Sequence, residues 1–167
     1  NHFKTNIKIS NNNNPLSDNE KVIPKENSQN LIYNIEYVAE SEDGTNYIIN
    51  SEVGKFNNEN PEIIFMEKVK AKIFLKNSDP INISSDYADY DNISFNTKFY
   101  GNVLITNDIH VITSNNLDLI FEDNLAIISN NVIYKNLSTT MQADKITMDL
   151  LTKESKIFMD DKSEKEK

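Results

Sequence analysis

The sequence predicts an all-β protein: stacked hairpin repeats forming an elongated V-shaped or coiled pair of sheets with an apolar interior. Three observations carry that reading. From residue 30 onward, β-branched and aromatic residues alternate with polar ones in short runs separated by Asn, Asp, Gly and Ser clusters. No segment sustains an apolar stripe of helical period over three turns, so helix content should be small. One layout of residues also returns along the chain with its chemistry changed but its spacing kept, which is the mark of a repeated structural unit.

Taken in order, residues 1–29 are polar, Asn-rich and broken by Pro15 and Pro24, and read as a flexible linker. The folded domain should span 30–160. It opens with "NLIYNIEYVAE" (30–40) and "NYIINSEV" (46–53). Between them Asp43-Gly44 is the strongest hairpin signal in the chain, because Gly tolerates positive φ. "EIIFMEKVKAKIFL" (62–75) is a third strand run, although its 67–76 portion suits a strand or a helix. "SSDYADYDNISFNTKFYGNV" (84–103) reads as two strands around a turn at Asp91-Asn92. The second of them runs on through "KFYGNVLIT", where Phe99, Gly101, Val103 and Ile105 share one parity and Lys98, Asn102 and Thr106 the other. "HVITS" (110–114), "LDLIFE" (117–122), "LAIISNNVIY" (125–134) and "KITMDLL" (145–151) complete the strand runs, and 161–167 is a charged tail.

Bulk properties narrow the function. A chain of 167 residues favours one domain. The net charge is −9 and all 17 basic residues are Lys, so there is no field to attract nucleic acid. With no Cys, disulfides, thiolate nucleophiles and Cys-ligated metals are excluded. No stretch approaches the roughly 20 apolar residues of a membrane helix. Asn occurs 27 times and Ile 22 times, a skew that AT-rich codons produce unaided, so neither the Asn run 11–14 nor the acceptor-like sequons at 82, 92 and 136 are given a purpose.

The repeat emerges when Ser51, Ser85, Ser114 and Ala143 are set in register. The next residue is polar in every copy (Glu52, Asp86, Asn115, Asp144). The third (Gly54, Ala88, Leu117, Ile146) and the fifth (Phe56, Tyr90, Leu119, Met148) are mainly apolar. Eighteen residues on stand Val69, Val103, Val132 and Asp161. Steps of 34, 29 and 29 residues (85 − 51, 114 − 85, 143 − 114) leave room for two strands and two turns per unit. A two-stranded unit buries little alone, whereas stacked copies presenting the same alternate side chains build a continuous apolar trough.

These residues resemble a known family. "ISSDYADYDN", "TKFYGNVLIT", "HVITSNNLDLIFEDN", "ISNNVIYKN" and "MQADKITMDL", in this order, look like the OstA-like repeats of lipopolysaccharide-export proteins, and the short repeat region after a polar stretch is most similar to the LptC family. The resemblance covers about residues 31–160. Only one copy has the full Gly-Asn-Val, and the membrane helix that the family carries upstream is not in this sequence. The resemblance implies an OstA-like β-jellyroll on the periplasmic side of the inner membrane. Such a protein receives lipopolysaccharide from an inner-membrane ABC transporter at its N-terminal edge (here about 31–40) and hands it to an LptA-like bridge protein at its C-terminal edge.

By repeat parity the lipid-binding groove should be lined by Phe56, Phe65, Val69, Ala88, Tyr90, Phe99, Val103, Ile105, Leu117, Leu119, Phe121, Ile128, Val132, Tyr134, Ile146, Met148, Ile157 and Met159. Such a stripe suits acyl chains, since each buried methylene contributes roughly 0.8 kcal/mol; it is equally the pattern of a dry, filled core. Lys98, Lys135 and Lys145 are candidates for lipid phosphates at the groove mouth, or simply solubilising side chains. The partner edge falls on Met141, Ala143, Ile146, Met148, Ile157 and Met159, where an open strand could be completed by β-augmentation. No catalytic constellation, cofactor motif or metal set is legible. His110 is alone beside a turn, and Asp86, Asp89 and Asp91 lack the spacing of a calcium loop. Alternatives are a soluble LptA-like bridge and, from other classes, a β-solenoid carbohydrate-active enzyme or a structural adhesin.

Overall fold

Residues 4–9 and 30–160 are described by the computed structural model, in which strands and turns alone occur. Ten strands follow one another: β1 (Lys4–Ile9), β2 (Asn30–Glu40), β3 (Asn46–Phe56), β4 (Ile63–Phe74), β5 (Ile81–Asp91), β6 (Thr97–Asn107), β7 (His110–Ile120), β8 (Leu125–Lys135), β9 (Thr140–Asp149) and β10 (Ser155–Phe158). All pair antiparallel with their chain neighbours in a single sheet of order 1 to 10. Residues 67–74 of the ambiguous segment are therefore strand, and Leu75 and Lys76 lead into the turn that follows. β1, which falls in the stretch expected to be a linker, pairs Lys4 through Ile9 with Glu40 through Ile35 of β2. Six residues of alternation are too few to stand out in an Asn-rich arm, but they suffice to satisfy half of an edge strand.

The turns form where short polar side chains take over backbone donors. Asp91 Oδ1 accepts from the N–H groups of Ile93 and Ser94 (2.9 and 3.1 Å), Asn136 Oδ1 from Ser138 and Thr139 (3.0 and 2.9 Å), and Asp149 Oδ1 from Leu151 and Thr152 (both 2.8 Å). At Ser41–Thr45 Gly44 takes φ 88°, as expected of the Asp-Gly hairpin.

The sheet is bent along one line that crosses every strand from β2 to β9 at mid-length, so the expected pair of sheets is one sheet with two arms. On the even-numbered strands the line is marked by left-handed residues: Asn34, Lys68, Gly101 with Asn102, and Asn130 with Asn131. On the odd-numbered strands Ser51, Ser85 and Ser114 donate their hydroxyls to the carbonyls two residues on, at 3.3, 2.8 and 3.0 Å. Side chains link the line on the convex side, Lys68 to Glu52 at 2.8 Å, Asn102 to Asp86 and Asn130 to Asn116 at 2.7 Å each. Extra residues on β6 and β8 make true bulges, with register shifts between Tyr100 and Val103 and between Ser129 and Val132.

The bend changes which residues face inward. On β4, Ile64 and Met66 are buried on one side of it and Val69, Ala71 and Ile73 on the other, a step of three where a flat strand steps by two. The recurrent sequence layout is this step: Ser at the bend, a polar residue at its convex corner, then inward positions three and five residues on. The repeat thus records where a strand turns a corner.

Across the hollow of the bend the two arms touch through side chains from strands that are not neighbours. Tyr37 of β2 stacks on Tyr90 of β5 at 4.8 Å between ring centroids. Tyr47 of β3 donates to Thr97 Oγ1 of β6 at 3.1 Å and meets the ring of Phe121, after β7, at 4.8 Å. Lys153, in the β9–β10 turn, reaches the carbonyls of Lys76 and Asn77 in the β4–β5 turn at 3.0 and 3.5 Å. Each contact joins one strand to another at least three further along, so the bent sheet closes as a coil.

Candidate functional site

The inward face divides into a filled stretch and an open one. Val69, Ala88, Tyr90, Phe99, Val103, Leu117, Leu119 and Val132 are all 2 % exposed or less, and Phe121 is 5 %. They interdigitate with Tyr37, Tyr47, Ile49, Ile64 and Met66, so over this stretch the two arms make a packed core. Phe56 packs on its margin. Phe65, expected inside, lies on the outer face. It stands between the buried Ile64 and Met66, beneath the Lys55 ammonium (5.3 Å) and beside Tyr87 (5.8 Å). Counting by twos from Val69 fails there because the left-handed Lys68 resets the parity.

A cavity of about 410 Å³ opens where the arms part, between the β4–β8 arm and β9–β10. Its walls are Leu75, Ile81, Ile105, Ile112, Ile128, Ile146, Met148 and Ile157, and Ser78, Asn107, His110, Tyr134, Lys153 and Ser155 complete its polar margin. Six residues expected to line a groove meet here: Ile105, Ile128, Tyr134, Ile146, Met148 and Ile157. Met159 lies beyond β10 and is 64 % exposed. Leu75, Ile81 and Ile112 were not singled out, although extending the repeat register two residues upstream of Ser114 finds Ile112, and four upstream of Ser85 finds Ile81.

At the cavity margin the His110 Nδ1 and Tyr134 Oη lie 2.7 Å apart with their rings stacked, and Asn136 Nδ2 donates to the same hydroxyl at 3.0 Å. None of the three candidate phosphate-binding lysines is part of the margin. Lys98 lies on the outer face in register with Asp89 and Asp118, Lys135 ends β8, and Lys145 sits over the Phe158 ring at 4.5 Å. Strand alternation turns Lys98 and Lys145 outward, since their neighbours Phe99 and Ile146 point in. Lys153, in a turn where periodicity says nothing, is the lysine that lines the cavity.

The filled stretch holds one polar anomaly. The Tyr90 hydroxyl is buried and has no hydrogen-bond partner among the described residues. Burial pushes its pKa up strongly, as it does for Tyr47, while Tyr100, whose hydroxyl donates to Asp89 at 3.3 Å, is raised to about 12 by burial and by that carboxylate. These phenols are neutral at any physiological pH. Asp86 accepts from Asn102 at the bend, Asp89 from Tyr100, and Asp91 caps its turn, so the three acids hold the sheet's geometry.

Both edges are half covered. Among the described residues β1 occupies Ile35–Glu40 of β2 and leaves Asn30–Asn34 free of it, and β10 occupies Lys145–Met148 of β9 and leaves the backbone of Thr140–Asp144 without a strand partner on that side. The expected N-terminal edge at 31–40 therefore shrinks to its first residues. At the other end no described strand pairs the outer edge of Met141 and Ala143, whereas Ile146 and Met148 already pair with Ile157 and Ser155.

A family model, lipopolysaccharide-assembly, LptC-related, matches residues 5–159. The chain belongs to the LptC family. Its role is thus in lipopolysaccharide transport, and the bent ten-stranded sheet is this chain's form of the LptC β-jellyroll. The match starts within β1, so that strand is part of the family unit. Members are inner-membrane-associated components on the periplasmic side; among the described residues no helix is long and apolar enough to cross a membrane. No curated protein matches the chain.

Proposed function

We propose that this LptC protein takes up lipopolysaccharide from an inner-membrane ABC transporter and passes it to an LptA-like bridge protein, holding acyl chains in the cavity between the β4–β8 arm and β9–β10. The supporting observation is that the cavity lies next to the uncovered part of β9: Tyr134, at the cavity margin, pairs with Met141, while Ile146 and Met148 of the β10-covered part form its wall. Apolar walls release acyl methylenes from water at roughly 0.8 kcal/mol each. The outer edge of Thr140–Asp144, which no described strand pairs, offers the next protein a strand to extend, beside the mouth from which lipid leaves. At the far end Asn30–Asn34, which no described strand pairs on its outer edge, offers the transporter a strand of the same length, next to β1. The energy for movement is the transporter's, since the chain itself presents no nucleotide-binding motif.

The reading predicts that a photoreactive residue at Met148 crosslinks to lipopolysaccharide in cells, that one at Gln142 crosslinks to the bridge protein, and that one at Phe99, inside the packed stretch, captures far less lipid. Folded protein that gives no lipid adduct at Met148 overturns the cavity assignment, and absence of a protein adduct at Gln142 overturns the edge.

A further inference from the structure

We propose that Lys153 is the anion-recognising residue of the cavity, selecting single-chain amphiphiles with a phosphate-like headgroup over neutral ones of the same chain; the inference rests on the carrier reading above. The cavity, at about 410 Å³, has the size of a small-molecule pocket, and its walls are aliphatic. Such walls bind a chain but do not discriminate headgroups. Discrimination has to come from the margin, where the charged side chain is Lys153 and the other polar groups are Ser78, Asn107, His110, Tyr134 and Ser155.

The ammonium is both aimed and available. The turn that carries it is pinned: Asp149 caps Leu151 and Thr152, the Lys153 N–H donates to the Asp149 carbonyl at 2.8 Å, and Lys153 holds φ 63°. From that base the side chain spans the gap to the carbonyls of Lys76 and Asn77. Among the described residues no carboxylate lies within ion-pair distance of it; the recorded ion pairs are Lys55 with Glu67 and Lys68 with Glu52. Among the described residues its partners are neutral carbonyl dipoles, and a headgroup anion can replace them with a stronger charge-assisted bond. Asp79 and Asp108 line the neighbouring polar groove, beyond His110, and repel an anion from that side toward Lys153. Because the same ammonium joins the β4–β5 and β9–β10 turns, its transfer to a ligand also frees the two turns to part and admit the chain.

The test is calorimetric titration of the whole chain with a short-chain lysophosphatidate, with the monoacylglycerol of the same chain, and with inorganic phosphate. Wild type should bind the lysophosphatidate more tightly than the monoacylglycerol, and Lys153→Gln should weaken the first by about three- to tenfold while leaving the second unchanged. Lys153→Arg should keep the preference, and inorganic phosphate alone should bind far more weakly than either lipid. Equal weakening of both lipids by Lys153→Gln, or no weakening of either, overturns the headgroup assignment and leaves Lys153 a tie between turns. Failure of wild type to bind either lipid overturns the carrier reading itself.

Discussion

The two ends of the inward face are built from the same repeat and differ in what fills it. In the copies starting at Ser51 and Ser85, the position three residues on is Gly54 or Ala88 and the position five on is Phe56 or Tyr90; in those starting at Ser114 and Ala143 these become Leu117 or Ile146 and Leu119 or Met148. Small residues beside aromatic ones let the arms approach and lock. Tyr37 lies on Tyr90, and Gly54 leaves the space that Ile35 fills, since a Cβ there would overlap Ile35 Cδ1. Leu117 and Leu119 are still covered, at 2 % exposure, whereas Ile146 and Met148 have no described strand three further along above them and line the cavity. The difference teaches that what decides whether a unit of this coil is core or container is the presence of strands further along to cover it, and small residues beside aromatic ones set how closely the covered arms approach.

The comparison can be broken most forcefully by truncating equivalent apolar residues in the two regions. Phe99→Ala, at 1 % exposure, should cost about 3–5 kcal/mol of unfolding free energy. Ile157→Ala, at 48 % exposure, should cost less than about 1 kcal/mol while weakening lipid capture. Urea denaturation measures both, and similar losses would erase the distinction between core and container. Filling the small position is next: Gly54→Leu should destabilise by about 1–3 kcal/mol or more through overpacking against Ile35. At Gly101, where φ is 75° and a Cβ would lie 3.1 Å from Asp86 Cβ, alanine should cost about 1–2 kcal/mol for its left-handed backbone. Tyr90→Phe removes an unpartnered hydroxyl and should be neutral or stabilising by up to about 1 kcal/mol; a clear loss of stability would reveal a partner for that group.

The smallest effect is in acid. Asp43 is held below the ordinary carboxylate value of 3.8 by the Ser41 hydroxyl and Thr45 N–H, and Asp149 by the N–H groups of Thr152 and Leu151. For Asp91, partial burial works the other way and is outweighed by the Ile93 and Ser94 N–H groups. A folded pKa below the unfolded one means stability that is complete above the unfolded value and lost as pH falls through the folded one. Unfolding midpoints should therefore be level from neutrality down to the ordinary carboxylate value and decline below it, more gently in Asp91→Asn, whose amide oxygen still caps the turn.

Most of the fold was legible because a strand's period and a turn's chemistry are local. β2 matches its sequence run residue for residue, and the Asp-Gly hairpin stands where expected. The bend was visible only as a repeat whose cause lay elsewhere. "HVITS" and "LDLIFE" read as two runs because Asn115 and Asn116 interrupt them, yet β7 passes through unbroken, with the interruption at the corner. Phe65 was misplaced for the same reason, since parity counted across a corner is wrong by one. Periodicity pointed to six of the fourteen residues that line the cavity. It did not find Lys153 or the pairing of His110 with Tyr134, because which turn meets which across the hollow depends on the coil's offset, and no local pattern encodes that. Residues 10–29, with Pro15 and Pro24, and 161–167, with the fourth register position Asp161, lie outside the described residues.

A spiral that seals by reaching three rungs ahead has no natural last rung. Adding another hairpin after β10 would roof the present opening and create an identical one further along; removing a hairpin would retract it. The number of hairpins sets how long the passage is, while the existence of a mouth is a property of the winding, and this chain keeps one at whatever length it is cut.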